Sequence, residues 1–360
     1  MKRTSAKICL IILVCILVFA ACAQPAAETS KIRYGVSPFQ DTLLPIVGEE
    51  LGCYEDQGLD VEFVILGWTE VQEALAAGEV DVAINNISSV IAIHEQWPQF
   101  VYYYGFNIFD AGAALMARPE FKSVEEFEAE GMSREDAVQA ALEQMKGHTV
   151  VTTGNTDMEQ AVLGSASRAG LDYQNDLEIV DLNPDEGLAA FLSGTGDFYL
   201  GGIPQRTRAT QEGMKPIVVG ADLAPPPING IVTTKDYAAE NPEELSKLLN
   251  CWFEIVNYIE ENTEEGANIV LDILNEQTGA NMGVDDFTIF WQNYEHYPLD
   301  ASQIERDILS PEGYAYWKAR WDDSNWYFSQ VRNTIDAAVS PKDAFMMEEA
   351  HDKFVEDFGN

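Results

Sequence analysis

The chain has 360 residues, 46% hydrophobic and 11% aromatic, which is enough apolar material for the packed core of two lobes and too much for a disordered chain. Its 60 Asp and Glu against 21 Lys and Arg leave a net charge of −39. A field of that sign repels nucleic acid and anionic lipid headgroups, so neither is expected as a partner.

Residues 1–21 read as a signal peptide, to be left out of any fold argument. Lys2, Arg3 and Lys7 precede an apolar run from Ile8 to Ala21, shorter than the ~20 residues a spanning helix needs. The run closes on "FAAC", which resembles a bacterial lipobox, so Cys22 is expected to become the lipid-bearing N-terminus of an exported protein held at the cell membrane. Ordinary cleavage after small residues a few positions away is the alternative. Residues 22–30 are a linker. Of the remaining cysteines only Cys53 and Cys251 fall in the folded part. Each sits in an apolar helical pattern, so free, buried thiols are expected in place of a bridge.

From Lys31 the elements alternate. "KIRYGV" reads as a strand, Leu43 to Leu51 as a helix, "LDVEFVIL" as a strand, Val71 to Ala77 as a helix closed by Gly78, and "VDVAIN" as a strand. A charged helical excursion, 118–145, follows, with capping boxes at "SVEE" and "SRED". The first order then returns: "HTVVTT", a helix from Asp157 to Ala169 before Gly170, "LEIVDL", a helix from Pro184 to Leu192 before Gly194, and "DFYLGG". Thr156 with Glu159 has box spacing, and Asn183 precedes Pro184 as a helix start. The corners "ALAAGEVD" and "AFLSGTGD" match at Ala74 and Ala190, Gly78 and Gly194, and Asp81 and Asp197. Each predicts a left-handed glycine after a helix, then an aspartate that satisfies backbone amides before a buried strand. The expected layout is α/β with two lobes: 31–116 the first part of lobe 1, 117–228 lobe 2, and 229–360 the return to lobe 1 with a mostly helical C-terminal part. "GIVTTKDYA" is the returning strand. The aromatic tail around Trp317 and Trp321 is read as a helix packed on the first lobe, with an aromatic cage for a cation as the alternative.

The four histidines share no metal-ligand spacing, and the nucleophile elbow, Walker loop and dinucleotide fingerprint are missing, so no catalytic residue, metal or cofactor is assigned. A binding protein, not an enzyme, is expected.

The stretches "ALAAGEVDVAINNISSVIAIHEQ", "MKGHTVVTTGNTDMEQAVLGSASRAGL", "IVDLNPDEGLAAFLSGTGDFYLGGIP" and "GIVTTKDYAAENPEELSKLL" resemble the nitrate, sulfonate, taurine and thiamine-pyrimidine binding proteins of ABC importers, over most of Lys31 to Glu261. The resemblance implies a type II periplasmic-binding-protein fold, two lobes joined by crossing strands. It further implies a monomer that hands a small solute to a permease and its ATPase. A pyrimidine-synthesising enzyme of the same fold and an extracytoplasmic sensor are the competing classes. Ligands of such folds sit beyond the carboxyl ends of the strands. That position nominates Ser37, Phe39, Gln40, Gly67, Trp68, Asn85, Asn86 and Ser88 on one wall, and Thr153, Asn155, Thr156, Asp157, Gly201, Gly202 and Ile203 on the other. Where the family commonly has Trp-x-Pro, this chain has Gly202, Ile203 and Pro204, so a roomier crevice is expected. From Tyr34 to Ala117 there are 13 carboxylates and no Lys or Arg. A neutral or cationic ligand with a flat part, such as a thiamine-pyrimidine-like heterocycle, is therefore favoured, with a sulfonate- or nitrate-type anion as the runner-up.

Overall fold

The computed structural model describes residues 31–359. The signal peptide, Cys22 and the linker lie outside the described residues.

Strand β1 (Lys31–Val36) pairs in parallel with β2 (Asp60–Ile65) and with β3 (Val82–Asn86), the expected βαβαβ order. Beyond β3 the first sheet continues with β10 (Ile228–Thr234) and then β4 (Phe100–Ile108), β10 running antiparallel to both neighbours. The second sheet repeats the plan. Its order is β7 (Glu178–Asp181), β6 (Thr149–Thr152), β8 (Phe198–Tyr199), β5 (Ala114–Ala117) and β9 (Lys215–Val219), with β5 the antiparallel member. Each lobe thus receives its fourth strand from a chain that has just crossed from the other. The two crossings lie side by side: the Phe109 amide donates to the Pro227 carbonyl and the Gly220 amide to the Ala113 carbonyl, both at 2.9 Å.

The repeated corner is repeated in backbone terms. Gly78 and Gly194 both take left-handed φ, 69° and 107°, and their amides close the ends of helices Glu70–Ala77 and Pro184–Ser193. The aspartates diverge. Asp81 accepts the Arg33 amide at 2.8 Å and also its guanidinium, whereas Asp197 meets His148 Nδ1 at 2.9 Å and, among the described residues, its carboxylate accepts from no backbone amide.

Local capping signals were met where their partners are local. Ser123 and Glu126 form a reciprocal box before helix Val124–Ala129; Ser133 caps Arg134–Glu143, but the box expected at "SRED" does not close, since Asp136 accepts the Ser133 hydroxyl in place of its amide. Two other signals were diverted by tertiary partners. Glu159 accepts the Asn155 amide at 3.1 Å and pairs with Arg332 at 3.0 Å, so no box closes on Thr156. Asn183 leaves its own helix uncapped and reaches across to lobe 1, accepting from Thr69 and donating to Glu70 at 3.0 and 2.9 Å.

The expectation of free thiols is overturned. Helix Pro242–Glu261 packs along Pro45–Glu50 and Cys53–Asp56, brings the Cα atoms of Cys53 and Cys251 to 5.8 Å, and the two cysteines are bonded. Both are buried, as the local pattern implied, but that pattern carries no information about a neighbour 198 residues away. Trp317 and Trp321 are core residues: Trp317 stacks on Phe345 at 3.9 Å and Trp321 donates to the Val339 carbonyl, so the aromatic tail forms no open cage.

Candidate ligand-binding cleft

Where β1, β6 and β8 end and the two crossings pass, the lobes face each other across a narrow cleft. Lobe 1 contributes Phe39, Asp41 and Trp68 from the loops after β1 and β2, and lobe 2 contributes Asp157, Met158, Gly201, Gly202 and Ile203 from the loops and first helical turns after β6 and β8. Phe109, Asp110, Leu223, Ala224, Pro226 and Pro227 come from the crossings, Asn229 from the start of β10, and Arg320 from helix Trp317–Trp326. Most of the wall is apolar, which suits a solute with an apolar body.

The polar groups gather in one region and are tied to each other. Asn229 donates to Asp41 at 2.5 Å and accepts from Asn86 at 3.4 Å. Burial pushes the Asp41 carboxyl up to about 6, against the hydrogen bond from Asn229. Burial also raises the Asp157 pKa, opposed by the charge of Arg320 and by Asn86. Asp157 Oδ1 is buried and has no hydrogen-bond partner among the described residues. Arg320 is 1% exposed; its Nε donates to Ser88 at 2.9 Å and its Nη1 to the Pro225 carbonyl at 2.6 Å, while Nη2 has no partner among the described residues. The Trp68 indole Nε1 is likewise buried without a partner.

The match with known proteins now decides the family. A model of the NMT1-like family matches residues 25–274. The chain belongs to the NMT1-like family. The fold of this family member is shared with solved structures of low sequence identity. The alkanesulfonate-binding protein SsuA from Xanthomonas axonopodis pv. citri, bound to MOPS, superposes with a TM-score of 0.65 at 14% identity, covering 88% of this chain and 98% of that one. The periplasmic nitrate-binding protein NrtA from Synechocystis PCC 6803 gives 0.66 at 14% identity, covering 92% and 89%. The Escherichia coli aliphatic sulphonate binding protein SsuA gives 0.62 at 15%, covering 88% and 92%. A search of curated proteins finds no match.

Of the residues nominated from sequence, the NMT1-like chain brings Phe39, Trp68, Asp157, Gly201, Gly202 and Ile203 together on the cleft wall. The others stand behind or beside it. Asn86 caps helix Ile87–Ala92 and holds Asn229, Ser88 holds Arg320, and Asn85 accepts the Asn86 amide. Ser37 and Gln40 are buried in lobe 1, where the Ser37 carbonyl accepts from Thr42 and Gln40 reaches the Phe287 carbonyl and Glu295. Thr153 and Thr156 satisfy the loop after β6, Asn155 takes a left-handed φ of 55° there and is exposed, and Gly67 lies against Glu70.

Gly202 does not leave room. A Cβ at this position would fall 2.4 and 2.5 Å from Phe39 Cε1 and Cδ1, so the ring from the opposite lobe already occupies the space that a larger residue would need. The glycine permits lobe-to-lobe contact. Sequence reading missed Asp41, Asn229 and Arg320. Asp41 and Asn229 adjoin stretches already singled out, but Arg320 was hidden in a helix whose aromatic residues accounted for its burial.

Proposed function

We propose that this chain is the extracytoplasmic solute-binding component of an ABC importer, which closes its two lobes over a small organic molecule and presents it to a permease. The arrangement that carries the reading is the apolar cleft between two lobes on a paired crossing, with Asp41, Asp157 and Asn229 gathered at one place. The disulfide supports export, because such bonds persist in oxidising compartments. Lipid attachment at Cys22 would keep the protein near its permease.

The solute favoured is an amine-bearing molecule with a flat or apolar body, such as a pyrimidine. The cleft holds three carboxylates, Asp41, Asp110 and Asp157, against one cation, Arg320. An amino group donating to the Asp157 carboxylate forms a charge-assisted hydrogen bond, stronger than a neutral one. The similar structures named for alkanesulfonate and nitrate keep an anion as the second reading, and Arg320 is the observation in its favour. A calorimetric screen of the purified protein with pyrimidines, amines, sulfonates and nitrate separates the two. Saturable 1:1 binding of the pyrimidine or amine class is expected. Binding of sulfonate or nitrate alone would replace the first reading with the second. Failure of a permease-gene deletion to abolish uptake of the bound compound would remove the importer role.

A further inference from the structure

Two helices that begin at matching places in the two lobes meet across the gap by their first residues. Thr69, after β2, precedes helix Glu70–Ala77, and Asn183, after β7, precedes helix Pro184–Ser193. In each sheet β2 or β7 is the outermost strand, at the end away from the strands that carry the crossings. The Thr69 hydroxyl donates to Asn183 Oδ1 at 3.0 Å, and Asn183 Nδ2 donates to Glu70 Oε1 at 2.9 Å. A carboxylate only accepts, so Glu70 fixes which way the Asn183 amide faces. A Cβ at Gly67 would overlap the Glu70 carboxylate, and the glycine thereby leaves room for it where Asn183 meets it. All three residues are half-buried, and none lines the cleft.

Asn183 makes this contact in place of a local one. Its backbone already has the geometry of a helix cap, φ −58° and ψ 155°, with Pro184 at the first helical position and its own carbonyl accepting the Gly187 amide at 2.7 Å. Yet its side chain caps nothing in its own helix. An asparagine so placed ordinarily accepts from the second or third amide of the helix, here Asp185 or Glu186. Turning the side chain, with no change in the main chain, exchanges one set of partners for the other.

We propose that Asn183 is a two-position latch between the lobes, bonded to Thr69 and Glu70 when they are together and capping its own helix when they are apart. This rests on the reading that the lobes close over a solute, and it names a residue that tunes closure without touching the solute. Farthest from the crossings, the contact parts on a small rotation of one lobe against the other. The closed state gains a bond to a carboxylate, and the open state recovers a cap. The difference between two such bonds is small, which keeps the two states close enough in free energy for a solute's own contacts to shift the balance.

Small-angle scattering on the full protein freed of bound small molecules, with no solute added, reads that balance. Asn183→Asp keeps a capping residue and the bond from Thr69 but sets a second carboxylate against Glu70. It should lower the ratio of closed to open about tenfold and raise the radius of gyration, with little change in melting temperature. Adding Glu70→Gln to it supplies an amide donor for the new carboxylate and should restore the wild-type profile. Hydrogen exchange reads the other position. With Thr69→Val and Glu70→Ala combined, the amides of Asp185 and Glu186 should exchange more slowly than in wild type, and Asn183→Ala should remove that protection. One scattering profile shared by wild type, Asn183→Asp and the double variant would overturn the latch, and exchange at Asp185 and Glu186 indifferent to the loss of Thr69 and Glu70 would overturn its second position. Neither measurement uses a solute, so the latch can fail while calorimetric binding stands, and a failed solute screen leaves both measurements unaffected.

Discussion

Gly202→Ala introduces one methyl group at the place where lobe 2 touches lobe 1. The new Cβ would sit 2.4 Å from Phe39 Cε1 and 2.5 Å from Cδ1, whereas carbon atoms pack comfortably at roughly 3.5–4.0 Å. The ring must therefore retreat by roughly 1 Å or the lobes must stay apart by a similar distance. Gly202 has a φ of −79°, which alanine adopts freely, so the cost is steric and not conformational. Overpacking of this kind costs about 1–3 kcal/mol. If it falls only on the state in which the lobes touch, the affinity for solute drops about 5- to 150-fold, while the melting temperature of the solute-free protein, free to hold its lobes apart, changes little. Calorimetric dissociation constants and small-angle scattering with and without solute measure both effects. The control is the Phe39→Ala background, in which the clash partner is gone and the added methyl should cost little. An equal loss in both backgrounds, or no loss in either, would refute contact between Phe39 and Gly202 as the reason for the glycine.

Asp41 carries a pH signature. Its folded pKa, about 6, lies above the ordinary 3.8, so the folded state holds an extra proton between these values and the contribution to stability is fully present below 3.8 and lost as pH rises through about 6. The shift corresponds to about 3 kcal/mol. Denaturation of wild type and Asp41→Asn should therefore show the variant gaining on wild type by about that amount between pH 4 and pH 7; a difference independent of pH contradicts it. Cys53→Ser or Cys251→Ser should lower stability by roughly 2–4 kcal/mol, read from denaturant midpoints, with reduced wild type matching the variants; unchanged midpoints would mean that the bond does not form. Cys22→Ser should abolish incorporation of radiolabelled lipid, and a wild-type protein that takes up no label contradicts the lipobox reading.

The lobes were legible because their signals are local. Helices that end at Gly78 and Gly194, followed by short apolar strands, announce a βαβαβ unit from within the stretches 31–86 and 149–199. The crossings were less legible: β5 is only Ala114–Ala117, four apolar residues with no alternation, and its sheet is set by partners in β8 and β9. The site followed the same division. Phe39, Trp68 and Asp157 could be found by asking where strands end. Asn183 was read as a cap because its neighbours Pro184 and Asp185 suit a helix start, but its side chain is claimed by Thr69 and Glu70 across the cleft. Arg320 was the largest omission. The absence of basic residues between Tyr34 and Ala117 suggested a cleft without a cation, yet the fold supplies one from a helix near the other end of the chain. A sequence reports charge per segment, whereas a cleft collects it from distant segments.

The central claim, that the cleft captures a small organic solute, is tested most directly by what the protein carries. The protein is purified from its native host without refolding, denatured, and the released fraction analysed by mass spectrometry, with a sample of the Gly202→Ala variant alongside. A small organic molecule with an amino group, recovered near one per chain from wild type and depleted from the variant, is the predicted result. Recovery of no small molecule, together with no saturable heat when the same host's small-molecule extract is titrated into the emptied protein, would contradict the account.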